Sequence, residues 1–473
     1  MNNEGNYFES EEFQAMLHDY EQGVKEGYSV FLDADDLADI ADYYQQEERF
    51  EDAQKVVDRV VELHPDSIIA LDYIIHNALN EGDFDTAEQN LQKMEDQESP
   101  EYIYCRAEIW IAQEKIEQAD QYLHECFKDV EPDEYQDYIL DVANLYTDYG
   151  YSEKAMEWMM LARHENTDDF KELMGRTFFG LGKYDDSERL FNELIDKNPF
   201  QKRYWNALAN TQFMKKDYDA AVSSSEYAIA IDPNDADGLL AKANGLYQLE
   251  NYEGALEFFQ RYEKVVPDDE FGMLHQGICL INLNRFEEAA DILKRASRVA
   301  PQDSPVLNEI YQELSYSYCE LKMTESALYY IEQAELYGCD PADANVFKGH
   351  ILLSGNRLPE AEEAYKKAIE TSDDPQHTVL RIIVSIYDNH YVDTAYKMFL
   401  NYFSGQSEDT VVEGYSYMAL CCYDLKRSDE FMTYLKKACE VNPQEAKAIL
   451  GHLFPRGMKP SDYYYHMIEK SNK

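Results

Sequence analysis

The amino-acid sequence predicts an all-α protein built from one helix-turn-helix unit that is copied along the chain. The first observation is a small residue that recurs every 32–38 positions, at Ala53, Ala87, Ala119, Ala155, Ser187, Ala221, Ala255, Ala289, Ala327, Ala361 and Ala395. The second is another small residue twelve positions before most of these, at Ala41, Ala107, Ala143, Gly175, Ala209, Ala243, Gly277, Ser315 and Gly349. Such repetition is typical of a stack in which each unit packs only on its neighbours.

The apolar residues around these small positions follow the period of a helix. Leu239, Ala243 and Leu246 fall on one helical face, for example, with Leu240 and Tyr247 beside them. Segments rich in Gly, Asn and Asp, such as EGDFD at 81–85, separate the two periodic stretches of each unit and predict tight turns. Prolines are expected to close the units, at Pro65, Pro199, Pro233, Pro267 and Pro301, and with a displacement of one or two residues at Pro100, Pro132, Pro341 and Pro375.

This pattern resembles the tetratricopeptide repeat family, and its best single match is Trp205, Leu208, Ala209, Ala221, Ala228 and Pro233. We identify about twelve repeats between residues 34 and 443. The resemblance is to bacterial proteins that consist almost entirely of such repeats, and it implies a right-handed α-α superhelix with a concave groove. Three units depart from the pattern, with Ile75 and Ile383 at the first small position and Phe431 at the second. Wider helix spacing or a shifted register is expected there.

Both ends of the array are expected to carry capping helices, because a terminal repeat otherwise exposes an apolar face. Residues 1–33 contain an amphipathic stretch with Phe13, Met16, Leu17, Tyr20 and Val24 on one stripe. Residues 444–473 are read as a shortened helix pair. Ser461 or Asp462 is the predicted N-cap of the last helix. The tyrosines at 463–465 are either a docking tail or, as we prefer, part of that capping helix.

Composition narrows the classes of partner. The net charge is −52, and residues 1–150 contribute −32 of it (8 Lys and Arg against 40 Asp and Glu). Such a field repels nucleic acid and anionic membranes, so neither is an expected partner. The negative charge of the first third has two interpretations. It keeps the exposed surface soluble, or it attracts a basic partner. A secretory signal and an apolar run of about 20 residues are both absent from the sequence, which predicts a cytoplasmic protein.

No motif predicts catalysis. Phosphate-binding glycine motifs and H-E-x-x-H are absent, and the eleven histidines are scattered without the spacing of metal ligands. The eight cysteines include no C-x-x-C pair. Adjacent Cys421 and Cys422 allow a redox pair or two packed thiols, and their helical setting favours packed thiols. We therefore expect a non-enzymatic protein with neither cofactor nor metal.

The resemblance also implies where a partner binds, because in this family the first helix of each pair lines the groove. The position eleven residues before the second small residue is occupied by Asp42, His76, Glu108, Asn144, Arg176, Asn210, Asn244, Ile278, Tyr316, His350, Val384 and Leu420. The middle of this series is polar in an acidic chain. The candidate partner-binding residues are Asn144, Arg176, Arg203, Asn206, Asn210, Phe213, Asn244 and Tyr247. Amides pair with both groups of a peptide backbone, and arginine binds carboxylates, although the same amides also serve to tie neighbouring helices together.

Towards the C-terminus the predicted groove becomes apolar, with Phe271, Leu274, Ile278, Ile281, Tyr316, Leu353, Leu380, Tyr387 and Tyr423. Three functions are compatible with these features. The first is a scaffold that holds an extended segment of another protein in the groove. The alternatives are a regulator that senses short peptides and a scaffold that assembles through its apolar C-terminal groove. The expected oligomeric state is a monomer or a homodimer. Family members that bind chaperones use a carboxylate clamp of lysines and asparagines, and its lysines are missing here, which argues against that partner.

Overall fold

The computed structural model describes residues 7–8, 10–26, 32–46, 49–162, 167–405, 412–455 and 457–471. These residues form 27 α-helices and one short 3-10 helix and contain no strand, which confirms the all-α prediction. The chain divides into two compact units, Met1–Lys215 and Lys216–Lys473. The eleventh repeat has no proline about twelve residues after Ala395, and its expected boundary falls at residues 406–411, which lie outside the described ranges.

The first unit contains α1 to α12. Their bounds are Glu11–Glu26 (α1), Ala34–Gln46 (α2), Phe50–Leu63 (α3), Ile68–Asn80 (α4), Phe84–Leu91 (α5), Pro100–Ala112 (α6), Ile116–Cys126 (α7), Tyr135–Asp148 (α8), Ser152–Met159 (α9), Asp168–Gly180 (α10), Tyr184–Lys197 (α11) and Lys202–Met214 (α12). Most consecutive helices pack on each other within this unit. Even-numbered helices are the first helices of their pairs.

The second unit contains α13 to α27. Their bounds are Tyr218–Ile231 (α13), Ala236–Gln248 (α14), Tyr252–Val265 (α15), Glu270–Asn282 (α16), Phe286–Val299 (α17), Leu307–Glu320 (α18), Thr324–Leu336 (α19), Pro341–Ser354 (α20), Leu358–Thr371 (α21), Pro375–Asp388 (α22), Val392–Ser404 (α23), Tyr415–Asp424 (α24), Ser428–Val441 (α25), Pro443–Leu450 (α26) and Pro460–Ser471 (α27). Consecutive helices pack here as well. Residues 34–441 thus contain twelve successive helix pairs.

A backbone feature marks every turn within the pairs from the second repeat onward. One residue has a positive φ five positions before the second small residue: Gly82, Glu114, Gly150, Gly182, Lys216, Glu250, Asn284, Lys322, Asn356, His390 and Lys426. The left-handed conformation ends the first helix and reverses the chain. Only three of the eleven are glycine, so the sequence did not reveal this position. The series runs unbroken through the units of Ile75, Ile383 and Phe431, so the register does not shift there.

The small residues lie at the helix-helix contacts, as predicted. Ala107, Ala143, Ala209 and Ala243 have 0% exposure, as do most residues of the second small series. At Gly277 an added Cβ would lie 2.5 Å from the side chain of Leu293 on α17. Close approach of the two helices is therefore the reason for a small side chain at these positions. Ile75 and Ile383 are themselves completely buried at the same position.

Two local predictions were wrong. Pro100, Pro341 and Pro375 lie in the first turns of α6, α20 and α22, so they begin the next helix and do not close the preceding unit. Proline is favoured there because the first helical N–H groups have no acceptor within the helix. The last helix begins at Pro460, which places Ser461 and Asp462 inside its first turn, where neither is the N-cap.

The helices at the two ends pack on the adjacent pairs. Phe13, Leu17 and Tyr20 of α1 are buried in one cluster with Leu37 and Ile40 of α2, whereas Val24 of the predicted stripe is 63% exposed. At the other end the ring of Tyr463 stacks on Phe454 with a centroid distance of 3.9 Å. Tyr463 is thus a core residue. Tyr465, the last of the three tyrosines, is 67% exposed.

Candidate functional site

The first helices of the fourth and fifth repeats bring two of the predicted site residues together. Asn144 on α8 accepts a hydrogen bond from the Arg176 guanidinium on α10, with an Nη1–Oδ1 distance of 2.8 Å. The Asn144 amide in turn donates to Asp148, one turn further along α8, at 3.0 Å. Arg176 also forms an ion pair with Asp148. The sequence suggests that Arg176 binds a partner's carboxylate, but the guanidinium is already paired with a carboxylate of the preceding repeat.

Arg203 on α12 is paired in the same manner. Its Nη2 lies 3.0 Å from Oε2 of Glu172 on α10, and its guanidinium lies over the ring of Tyr204. Burial raises the pKa of Glu172 despite the opposing attraction of Arg203 and Arg176. The Arg203 side chain is 54% exposed, so its outer edge faces solvent. Both predicted arginines therefore reach solvent only as members of internal ion pairs.

The remaining candidates of the first unit occupy three different environments on α12. Asn206 is buried, with 7% exposure, and Phe213 is half-buried. Asn210 is exposed, and its amide forms no hydrogen bond with any part of the chain that the structure describes. Of these three, Asn210 is the residue whose polar atoms face solvent.

A third polar network lies nearer the N-terminus, at positions that the eleven-residue register also selected. His76 Nε2 on α4 lies 2.9 Å from Oε2 of the buried Glu108 on α6. The hydroxyl of Tyr149 donates to the other oxygen of Glu108, also at 2.9 Å. The hydrogen bond to Glu108 raises the pKa of His76 to about 9. The imidazole is therefore protonated at neutral pH, and the pair ties neighbouring first helices together.

The second unit places Asn244 and Tyr247 one turn apart on α14, and both are half-buried. The Asn244 amide forms no hydrogen bond within the described ranges. The ring of Tyr247 packs edge-on against Tyr252, with a centroid distance of 5.6 Å. Tyr247 also borders a cavity of about 460 Å³ that reaches along the first helices as far as Arg381 on α22.

The apolar groove predicted for this unit is smaller than the sequence suggested. Leu274, Leu353 and Leu380 are less than 7% exposed and belong to the core. Phe271, Tyr316 and Tyr423 are 38–46% exposed and remain on the surface. A residue that faces the groove and the next residue along the helix, which faces the paired helix, are both apolar. The helical period alone therefore does not tell the two apart.

The cavity contains residues that the sequence analysis missed, namely Glu313, Asp343, Phe347 and Arg381. Glu313 lies three residues before Tyr316, which occupies the inward position of the register. This helical spacing was the available signal. Asp343 on α20 and Arg381 on α22 form an ion pair. Predicting this pair from the sequence requires knowing how the neighbouring repeats align.

The described residues hold no cluster of three or more histidine, cysteine or acidic side chains suited to a metal ion. All eight cysteines are free thiols. Burial raises the pKa of Cys421 and of Cys422 to about 12, as expected for packed thiols. Across the described ranges, every helix is too short or too polar to cross a membrane.

Comparison with known proteins agrees with this architecture. Three family models, each described as tetratricopeptide repeat, match residues 173–236, 212–278, and 342–375 together with 413–445. A search of curated proteins finds no significant match.

Solved structures that are similar to parts of this chain include YrrB, described as a TPR protein with an unusual peptide-binding site. It is 19% identical, with a TM-score of 0.36 over 40% of this chain and 95% of its own. The C-terminal part of a TPR protein from Cytophaga hutchinsonii is 12% identical, with a TM-score of 0.43 over 51% of this chain and 99% of its own. A thermophilic TPR protein of Thermus thermophilus is 21% identical, with a TM-score of 0.31 over 40% of this chain and 100% of its own. The matched residues 173–278, 342–375 and 413–445 are tetratricopeptide repeats, and the other helix pairs between residues 34 and 441 keep the same register.

Proposed function

We propose that this chain is a non-enzymatic scaffold that holds extended segments of partner proteins along the inner faces of its first helices. Tetratricopeptide repeats mainly mediate protein-protein interaction. The observation that supports this role here is the pair of asparagines at equivalent positions, Asn210 and Asn244, whose amides form no hydrogen bond within the described residues. Asn210 belongs to the first compact unit and Asn244 to the second.

An asparagine amide suits an extended segment because it offers one acceptor and two donors. It can pair with the C=O and the N–H of a peptide unit at once and so hold the backbone without selecting a side chain. The aromatic surfaces of Phe213 in the first unit and Tyr247 in the second provide apolar contact beside the amides. The buried Asn206, on the same helix as Asn210 and Phe213, lies beneath the surface that these two residues form in the first unit.

The two arginines have a conditional role in this proposal. A partner carboxylate that binds Arg176 or Arg203 exchanges with Asp148 or Glu172, because these acids already occupy the guanidinium groups. Each exchange replaces one charged hydrogen bond by another and adds little affinity. Together with Asn144, the arginines therefore contribute orientation of the partner more than binding energy.

The charge of the chain limits the partner further. The −32 of residues 1–150 favours a partner that is basic where it meets the first third, and it disfavours nucleic acid and anionic membranes. A cytoplasmic location is part of the same proposal. The proposal requires no oligomer.

A selection from a displayed library of random twelve-residue peptides tests the proposal on the full-length chain. We expect enriched peptides whose affinity, measured by calorimetry, falls about fivefold or more with Asn210→Ala or Asn244→Ala, as loss of a hydrogen bond worth about 1 kcal/mol implies. Asn192→Ala and Asn401→Ala are the matched controls, since both asparagines are exposed on second helices. Peptides that bind both inner variants as tightly as the wild type would refute the assignment.

A further inference from the structure

One cavity in the second unit has the chemistry of a recognition pocket. Its volume is about 460 Å³, and it lies along the first helices α14, α16, α18, α20 and α22. Its apolar walls are Tyr247, Ile278, Ile281, Tyr316 and Phe347. The rings of Tyr316 and Phe347 are nearly parallel, with an interplanar angle of 22° and a centroid distance of 6.3 Å. The cavity is thus a slot with aliphatic and aromatic sides.

One carboxyl group in this slot is unpaired. Glu313 projects from α18, and it forms neither a hydrogen bond nor an ion pair through its carboxyl within the described residues. Burial among the apolar walls raises its pKa to about 7, and the negative charge of Glu309 on the same helix contributes to the rise. Removing a carboxylate from water without a partner is unfavourable, so the group stands to gain from a cation.

The other charged groups of the slot do not supply that cation. Arg381 from α22 is paired with Asp343 from α20, so these two cancel. Tyr247 from α14 keeps a neutral hydroxyl, because burial raises its pKa and the charges of Glu313 and Glu309 add to the rise. Cys339, in the turn before α20, is a thiol whose pKa burial also raises. The net field that a ligand meets in the slot is negative.

We propose that this slot binds a cationic side chain, preferably arginine, carried by an extended segment of a partner protein. The proposal rests on the scaffold function above and deepens it by naming the residue type that one unit selects. The methylene stem packs on Ile278 and Ile281, and the guanidinium pairs with the Glu313 carboxylate while it covers the face of Tyr316 or Phe347. Guanidinium groups combine a bidentate carboxylate contact with stacking on aromatic rings, which an ammonium group does less well.

Defined peptides test this on the full-length chain. The probes are fluorescein-labelled octapeptides in which a central arginine is flanked by leucine and alanine, and two otherwise identical peptides with glutamine or glutamate at the centre. Fluorescence anisotropy at pH 8 is expected to give at least tenfold tighter binding for the arginine peptide, with glutamate the weakest. Glu313→Gln is expected to remove most of this difference. It deletes a buried charge, so the variant is expected to fold, which circular dichroism checks.

The affinity is also expected to depend on pH. Because the free carboxyl titrates near pH 7 and only the carboxylate binds the cation, affinity for the arginine peptide should rise about tenfold from pH 6 to pH 8. Glu313→Gln should abolish this dependence. Glu332→Gln makes the same change at an exposed position on α19 and should preserve both the affinity and its pH profile.

The outcomes separate this inference from the scaffold function. Equal binding of the arginine and glutamine peptides, or an unchanged affinity in Glu313→Gln, overturns the cation pocket. If the peptide library above still yields ligands that depend on Asn210 or Asn244, the scaffold function survives that failure. If neither experiment yields a ligand, both proposals fall.

Discussion

Replacing Gly349 by alanine tests whether the small positions of the repeat exist to let helices approach. A Cβ at Gly349 on α20 would lie 2.2 Å from Cε1 and 2.5 Å from Cδ1 of Tyr365 on α21. Favourable carbon contacts begin at about 3.5 Å, so the ring has to move by about 1 Å. Tyr365 is buried, and its hydroxyl is held 2.7 Å from the hydroxyl of Ser385 on α22. The ring is therefore fixed at both ends.

The magnitude follows from three terms. Overpacking of a filled core costs about 1–3 kcal/mol, and loss of the Tyr365–Ser385 hydrogen bond costs about 1 kcal/mol more. Alanine offsets about 1 kcal/mol of this because it favours a helix more than glycine does. We expect Gly349→Ala to lower the free energy of unfolding by about 1–3 kcal/mol.

A matched variant and a double-mutant cycle isolate the cause. At Gly175 an added Cβ meets Phe191 at 3.0 Å, a much smaller overlap. Gly175→Ala is therefore expected to cost less than Gly349→Ala by about 1 kcal/mol or more. Tyr365→Phe releases the hydroxyl from Ser385, so Gly349→Ala should cost about 1 kcal/mol less in that background than in the wild type.

Because each repeat contacts mainly its neighbours, the effect should be local. Native-state hydrogen exchange, resolved by helix, should show faster exchange in α20 and α21 for Gly349→Ala and little change in α10 and α11. A variant as stable as the wild type in α20 and α21 would refute the packing argument, since it would mean that the two helices separate at no cost.

Three further results are expected. Glu250→Gly should stabilise the chain by about 1 kcal/mol in urea denaturation, because Glu250 has a φ of +59° in a turn, whereas Glu253→Gly within the first turn of α15 should destabilise it. The His76–Glu108 pair should contribute its full stability below about pH 6.5 and lose it as the pH rises through about 9. Because the His76 side chain is 45% exposed, His76→Gln should lower the free energy of unfolding by at most about 1 kcal/mol. Equal losses at pH 6.5 and pH 9.5 would contradict this pH dependence. Alkylation of Cys421 at pH 8 should be slower than that of a free peptide thiol by a factor on the order of a thousand, because the pKa of Cys421 is about 12.

The repeat architecture was predictable because it depends on short-range patterns that recur. The helix period and the two small positions repeat in nearly every unit, so an error in one repeat is corrected by the others. The left-handed turn residue was not predictable, although it is the most regular backbone feature. Lys216, Glu250 and Lys322 occupy this turn position although Lys and Glu do not favour a left-handed backbone conformation. The packing of neighbouring repeats imposes the turn and overrides the local preference.

The candidate site was only partly predictable, for a different reason. The register placed Asn144, Arg176 and Asn210 on the first helices, but it carried no information on contacts between repeats. Whether an arginine is available depends on the residue opposite it on the preceding first helix, about 30 positions earlier in the sequence. Asp148 and Glu172 occupy these opposing positions. Acidic residues are so frequent in this chain that the sequence alone does not single these two out.

The inner surfaces of the two units therefore differ in what a ligand has to displace. In the first unit, the cations Arg176, Arg203 and His76 are each bound to an acidic side chain of the protein. A charged ligand there competes with an internal partner and gains little. In the second unit the half-buried Glu313 carboxyl has no hydrogen bond or ion pair within the described residues, so a cation would add a pairing. Under the proposed function, selectivity for a charged ligand should consequently reside in the second unit, whereas the amide of Asn210 should give the first unit binding that tolerates many sequences.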